Sequence, residues 1–137
     1  PAAVALGCAL SLAAPDGVAG LRDQLQKSAI SLGASVSGAG APRLPNTLHL
    51  TFPDLPGEAV VVGLDLEGVC ASTGSACASG AAEPSYVLQA MGLDPRAGVR
   101  LSLGWSTTGE QIAAAAQALE RVVERHRAVA RELDWSV

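Results

Sequence analysis

The spacing of apolar residues predicts helices at both ends of the chain. Residues 3–13 are almost entirely apolar and rich in alanine, which is typical of a buried helix. Residues 18–32 mix apolar and polar side chains with the periodicity of an amphipathic helix. Residues 107–111 hold the pattern of a capping box, and apolar side chains then recur every three or four positions as far as Leu133. We therefore expect a long C-terminal helix, with His126 as a packed histidine on its apolar stripe.

Two shorter stretches alternate with the period of two that marks a strand with one buried face. In residues 47–52, threonine and histidine alternate with leucine and phenylalanine. In residues 99–104, valine and leucine alternate with Arg100 and a serine. His49 lies on the polar side of the first strand, where we interpret it as an ordinary strand histidine. A further short, buried strand is predicted at residues 69–72.

Residues 56–69 are ambiguous by pattern alone. The β-branched run Val60–Val62 favours a strand, whereas the proline that opens the segment and Gly68 near its end favour a helix, which we prefer. A second short helix is predicted at residues 85–92. The Gly/Ser/Pro-rich residues 33–46 predict an irregular linker or a short irregular strand.

Length, composition and charge limit the possible folds and the possible classes of partner. The 137 residues suffice for one domain over 1–137, and the elements above predict an α+β fold with helices packed on a small, mostly antiparallel sheet. The net charge of -4 gives no reason to expect nucleic acid or an anionic membrane surface as a partner. No apolar run reaches the roughly 20 residues of a membrane span. The apolar N-terminus lacks the basic residues that open a signal peptide.

The three cysteines are an odd number without a disulfide-rich pattern, which favours a reducing, cytoplasmic compartment. Their spacing is not that of a zinc site. Cys8 and Cys70 lie among apolar residues, and we interpret both as buried and inert. Cys77 lies in STGSACASG, among small and polar residues, so we expect its thiol to be accessible. A reactive thiol, a phosphate-binding loop and a plain flexible connector are all compatible with this stretch.

The motif STGSACASG is followed by EPSYVLQAMGL and then by VRLSLGWSTTGEQI. Together these segments closely resemble the C-terminal part of the cysteine desulfurases, which are pyridoxal-phosphate enzymes of the class V aminotransferase group with fold type I. LPNTLHLTF and PAAVALGCALSLA resemble other segments of the same family, so the resemblance covers essentially the whole chain. It implies that residues 1–137 form the small C-terminal domain of a homodimeric enzyme, and that residues 72–83 form a mobile loop carrying the catalytic cysteine.

The resemblance also implies roles for single residues. Cys77 would be the nucleophile that takes sulfur from L-cysteine, leaves L-alanine and holds the sulfur as a persulfide for an acceptor protein. Arg100 would bind the α-carboxylate of the substrate, for which a planar guanidinium is well suited. Thr73 stands where many family members have serine. The residues that would form the catalytic loop around the thiol are Ser72, Thr73, Gly74, Ser75, Ala76 and Gly80.

One element of the family's chemistry is missing from the chain. Lys27 is its only lysine, and the Ser-x-His-Lys motif that carries the family's cofactor lysine is absent. The resemblance therefore implies that pyridoxal phosphate is bound by a large domain preceding residue 1, and that this chain alone is inactive. The acceptors it implies are iron–sulfur scaffold or tRNA-thiolation proteins. Two alternatives stay open: a free-standing sulfur-carrier or interaction module without catalysis, and a domain of a selenocysteine lyase-like enzyme.

Overall fold

Three antiparallel strands organise the part of the chain that the structure describes. The computed structural model describes residues 1–12, 17–74 and 84–134. The strands are β1 (Ser35–Val36), β2 (Thr47–Thr51) and β3 (Gly98–Ser102), and they lie side by side in the order β1-β2-β3. The helices are α1 (Ala2–Leu12), α2 (Val18–Ser31), α3 (Gly57–Leu66), α4 (Tyr86–Ala90) and α5 (Gly109–Asp134). The predicted α+β class, with its small antiparallel sheet and long C-terminal helix, is confirmed.

One face of the sheet carries the hydrophobic core. Leu48 pairs with Leu101 and Leu50 pairs with Val99, and all four side chains are buried. Helices α2 and α5 supply the facing side chains of the same core, which are Leu25, Ala29, Ile112, Ala118, Leu119, Val122 and Val123. This is the alternation that the sequence predicts, because residues two apart in a strand share a face. The opposite face of β2 and β3 is therefore the one that carries the polar side chains.

The predicted helix boundaries agree closely with the structure. At the start of α5, the backbone N–H of Thr108 donates to Oε1 of Gln111 at 2.9 Å, and the N–H of Gln111 donates to Oγ1 of Thr108 at 3.2 Å. This reciprocal pair satisfies two of the amide groups that a helix leaves unpaired in its first turn. The ambiguous segment 56–69 contains helix α3, and Gly68 follows it with a left-handed φ of 79°. His126 is half-buried on α5, near Gly63 of α3.

Helix α1 lies where it was predicted, but the prediction that it is buried was wrong. Val4, Leu6 and Leu10 expose 76%, 62% and 66% of their surface. An apolar sequence shows that a helix needs a covering surface, and it does not show that the same chain supplies one. Cys8 on this helix is exposed as well, against our interpretation that it is buried.

The segment after α3 also differs from its prediction. Residues 69–72 do not form a buried strand: only Ser72 pairs with the sheet, as a single antiparallel bridge to Arg100. Cys70 is exposed, against our interpretation that it is buried. The chain leaves α3 through a left-handed glycine and reaches the sheet edge over only a few residues, so the pairing stays at one bridge, although Val69 and Ala71 pack against the core. Within 33–46, predicted as an irregular linker or a short irregular strand, the pair Ser35–Val36 forms strand β1.

A close backbone approach joins α3 to the sheet. A methyl group added at Gly57 would overlap the carbonyl oxygen of Gly98 and lie 2.8 Å from its carbonyl carbon. We therefore expect Gly57→Ala to lower the free energy of unfolding by about 1–3 kcal/mol, as overpacking against a rigid backbone usually does. Urea unfolding of the chain measures this. The matched control is Gly20→Ala on α2, where a methyl group meets nothing within 4 Å and should stabilise the helix by about 0.5–1 kcal/mol. A Gly57→Ala chain as stable as wild type would contradict the expectation.

Candidate functional site

Four polar side chains form a row across the polar face of the sheet. His49 on β2 pairs with Arg100 on β3, and Ser72 pairs with Arg100 from the other side. Ser37 follows β1, and its backbone N–H donates to the carbonyl oxygen of His49 at 3.0 Å. Directly paired residues of antiparallel strands point to the same face. The row therefore runs in the order Ser37, His49, Arg100 and Ser72, and we call it the polar row.

The root of the predicted cysteine loop is bound to the strand that carries Arg100. Ser72 and Arg100 exchange two backbone hydrogen bonds, of 3.0 Å from Ser72 N and 2.5 Å from Arg100 N. The hydroxyl of Ser72 also accepts a hydrogen bond from the N–H of Gly74 at 3.1 Å, and Gly74 has a left-handed φ of 81°. The chain thus turns back over the polar row at Gly74. Cys77 lies five positions beyond Ser72, which limits its distance from this anchor to about 17 Å of extended chain.

Arg100 offers its guanidinium to solvent. Its backbone is held in the middle of β3, while its side chain is exposed. Among the described residues, the guanidinium takes part in no ion pair; those present join Arg22, Arg121, Arg125 and Arg127 to carboxylates. A guanidinium fixed at its base and free at its tip can form two parallel hydrogen bonds to an incoming carboxylate.

His49 is half-buried, whereas Arg100, the other ionisable side chain of the polar row, is exposed. Its Nδ1 lies 2.9 Å from the hydroxyl oxygen of Ser37. Its Nε2 faces two glycines: a methyl group at Gly98 would lie 3.0 Å from this atom, and one at Gly74 would lie 3.2 Å from it. Burial, and secondly the charge of Arg100, lower the pKa of His49 below the ordinary histidine value. Both causes disfavour the imidazolium form, so the ring is held neutral near pH 7.

This lowered pKa predicts a pH dependence of stability. Because the folded pKa of His49 lies below its unfolded value of about 6.5, the unfolded chain binds more protons as the pH falls through that value. We expect wild type to lose stability as the pH falls below about 6.5, and His49→Asn to lose less of it over the same range. Urea unfolding at several pH values compares the two chains. Parallel curves for the two proteins would contradict the expectation.

The structure brings together some of the residues predicted as a site. Ser72, Thr73 and Gly74 lie at the root of the loop, and Ser72 pairs with Arg100. The predicted loop residues Ser75, Ala76, Cys77 and Gly80 lie outside the described residues. The sequence interpretation treated His49 as ordinary, although it lies beside Arg100 in the polar row. Its position on the polar side of a predicted strand was the available signal, but only the strand register places it next to Arg100.

The described residues hold neither a cluster of metal-ligating side chains nor a lysine beside the polar row. Among residues 1–12, 17–74 and 84–134, no group of three or more histidine, cysteine, aspartate or glutamate side chains could hold a metal ion. Lys27 is exposed on α2, whose buried residues Leu25 and Ala29 pack on the apolar face of the sheet. It therefore lies on the other side of the sheet from the polar row. Within the same ranges, no helix has the length and hydropathy to cross a membrane.

Comparison with known proteins identifies relatives of the chain. No protein-family model matches it. A cysteine desulfurase from Trichormus azollae is 41% identical over 114 residues, which cover 80% of this chain and 28% of that protein. An IscS-like cysteine desulfurase from Mycobacterium tuberculosis is 40% identical over 116 residues, which cover 80% of this chain and 30% of that protein.

The fold comparison agrees. A NifS-like protein from Rickettsia africae superposes with a TM-score of 0.66 at 27% identity, over 78% of this chain and 28% of that structure. The chain thus spans 28–30% of the length of these relatives. In sequence and in fold, the chain is a homologue of the cysteine desulfurases and corresponds to a C-terminal segment of them.

Proposed function

We propose that this chain is the sulfur-carrying and substrate-binding part of a cysteine desulfurase. The observation that carries the proposal is the backbone pairing of Ser72 with Arg100. It ties the root of the segment that bears Cys77 to the strand that presents the exposed side chain of Arg100. A carboxylate-binding group beside the anchor of the segment that bears a thiol suits the transfer of sulfur from an amino acid.

The overall reaction assigns one task to each residue. The thiol of Cys77, as thiolate, attacks the sulfur of L-cysteine, so that a new S–S bond forms while the C–S bond of the substrate breaks. The products are L-alanine and a persulfide on Cys77. Arg100 binds the α-carboxylate and so fixes the substrate relative to the thiol. The persulfide then passes its outer sulfur to an acceptor protein.

The described residues do not fit a pyridoxal-phosphate site. A Schiff base needs a lysine amine, and Lys27 lies on the side of the sheet away from Arg100. We therefore propose that the cofactor expected for the family is held by protein other than these 137 residues. The carbanion chemistry that such a cofactor supplies would be directed at a substrate whose carboxylate Arg100 holds.

The names of the relatives indicate the biological setting. One relative is named IscS-like, and we propose an iron–sulfur scaffold or a tRNA-thiolation protein as the sulfur acceptor. We also propose that the enzyme is a cytoplasmic homodimer. Lys27 lies on the side of the sheet away from Arg100. Because these residues then offer no lysine for a cofactor beside Arg100, a second candidate is a sulfur-carrier module that receives persulfide from a separate donor.

The experiment that tests the proposal compares two forms of the protein. The first is this chain with added pyridoxal phosphate and L-cysteine, and the second is the protein expressed from its full coding sequence. We expect alanine and sulfide from the second and neither from the first. Absence of alanine from both would overturn the desulfurase proposal. A chain that instead gains persulfide on Cys77 from a separate desulfurase would then support the sulfur-carrier module.

A further inference from the structure

The proposed reaction assigns no role to His49 of the polar row. It lies directly between the hydroxyl of Ser37 and the strand position of Arg100. Arg100 directs its backbone N–H and C=O to Ser72, and the carbonyl of His49 accepts from Ser37. His49 and Arg100 are therefore a non-hydrogen-bonded pair, the type in which opposed side chains come closest, with Cα atoms about 4.5 Å apart.

The imidazole of His49 is fixed on two sides. Ser37 holds Nδ1 at 2.9 Å. On the opposite side, Nε2 meets the backbone of Gly74, where the loop root turns back, and of Gly98, two residues before Arg100. Both positions lack a side chain, and a methyl group at either would be within 3.2 Å of Nε2. The ring thus fills the space beneath the loop root and beside the base of the Arg100 side chain.

We propose that His49 is a positioning residue for the desulfurase reaction, because it fixes the direction of the Arg100 side chain and the distance of Gly74, in the loop root, from the sheet. This role rests on the proposed function. A neutral ring suits it, since an imidazolium beside Arg100 would repel the guanidinium that the substrate carboxylate needs. The charged group facing His49 from β3 is Arg100; its other neighbours, Ser37, Gly74 and Gly98, carry no charge.

The test is a double-mutant cycle in the protein expressed from its full coding sequence, with alanine release measured against L-cysteine concentration. We expect His49→Ala to raise KM for cysteine about fivefold or more, with a smaller change in kcat. In an Arg100→Lys background the same change should raise KM less than twofold, because the group it positions has already been altered. His49→Asn keeps a hydrogen-bonding partner for Ser37 and should recover part of the loss.

The controls separate this role from a general effect on folding. His126→Asn removes the other histidine, which is half-buried on α5, and should leave KM unchanged. If His49→Ala fails to fold, Ser37→Ala releases the same ring from one side and should raise KM in the same direction.

Two outcomes count against the inference in different ways. Wild type that releases no alanine overturns the proposed function and this role with it. An active wild type in which KM is unmoved by every His49 and Ser37 variant, or rises equally in both Arg100 backgrounds, overturns the role of His49 alone.

Discussion

Replacement of Cys77 by alanine is expected to reduce alanine formation from L-cysteine by at least about 1000-fold, because it removes the proposed nucleophile. The measurement is single-turnover alanine release by the protein expressed from its full coding sequence. Persulfide on the protein, detected by alkylation and mass spectrometry, should disappear together with the activity.

The chain supplies two matched controls for this experiment. Cys8 and Cys70 are both exposed, so their thiols are open to the same reagents as a reactive cysteine would be. Cys8→Ala and Cys70→Ala should each retain wild-type activity and persulfide content. A Cys77→Ala protein that still forms alanine and persulfide at the wild-type rate would refute the assignment of the nucleophile.

Arg100→Lys is expected to raise KM for L-cysteine by about tenfold, and Arg100→Gln by about 100-fold. Lysine keeps the positive charge but replaces a fork of two hydrogen bonds by a single point charge, while glutamine removes the charge as well. Initial rates across a range of cysteine concentrations measure both values.

The control for Arg100 is a second arginine that lies close to it in sequence. Arg96 is exposed outside β3, and its backbone N–H, not its guanidinium, bonds to Asp94. Arg96→Lys should leave KM unchanged. Equal KM values for wild type and Arg100→Gln would show that the carboxylate is bound elsewhere.

Local chemistry explains why much of this fold could be predicted from sequence. The alternation in residues 47–52 specified that Leu48 and Leu50 of β2 face the core, and Thr108 with Gln111 specified the start of α5. These features depend on residues close together in the chain. The burial of α1 could not be predicted in the same way, because it depends on a covering surface rather than on the helix itself.

In the candidate site too, some features depend on residues close together in the chain and others on residues far apart. The motif around Cys77 and the strand motif around Arg100 were visible as separate segments of sequence. Their connection through Ser72, and the place of His49 beside Arg100, depend on the pairing register between segments far apart in the chain. A shift of one residue in that register would turn His49 and Arg100 to opposite faces of the sheet. No periodicity within one segment contains this information.

Separate backbone hydrogen bonds hold the two residues that flank the segment around Cys77. Ser72 bonds to Arg100, and the backbone N–H of Ser85 donates to the carbonyl oxygen of Pro95 at 3.0 Å. With both ends secured, the number of residues between them limits how far a sulfur atom on Cys77 can be carried. Deleting residues there should shorten the distance over which the proposed sulfur transfer can reach, while β3, which carries Arg100, stays as it was.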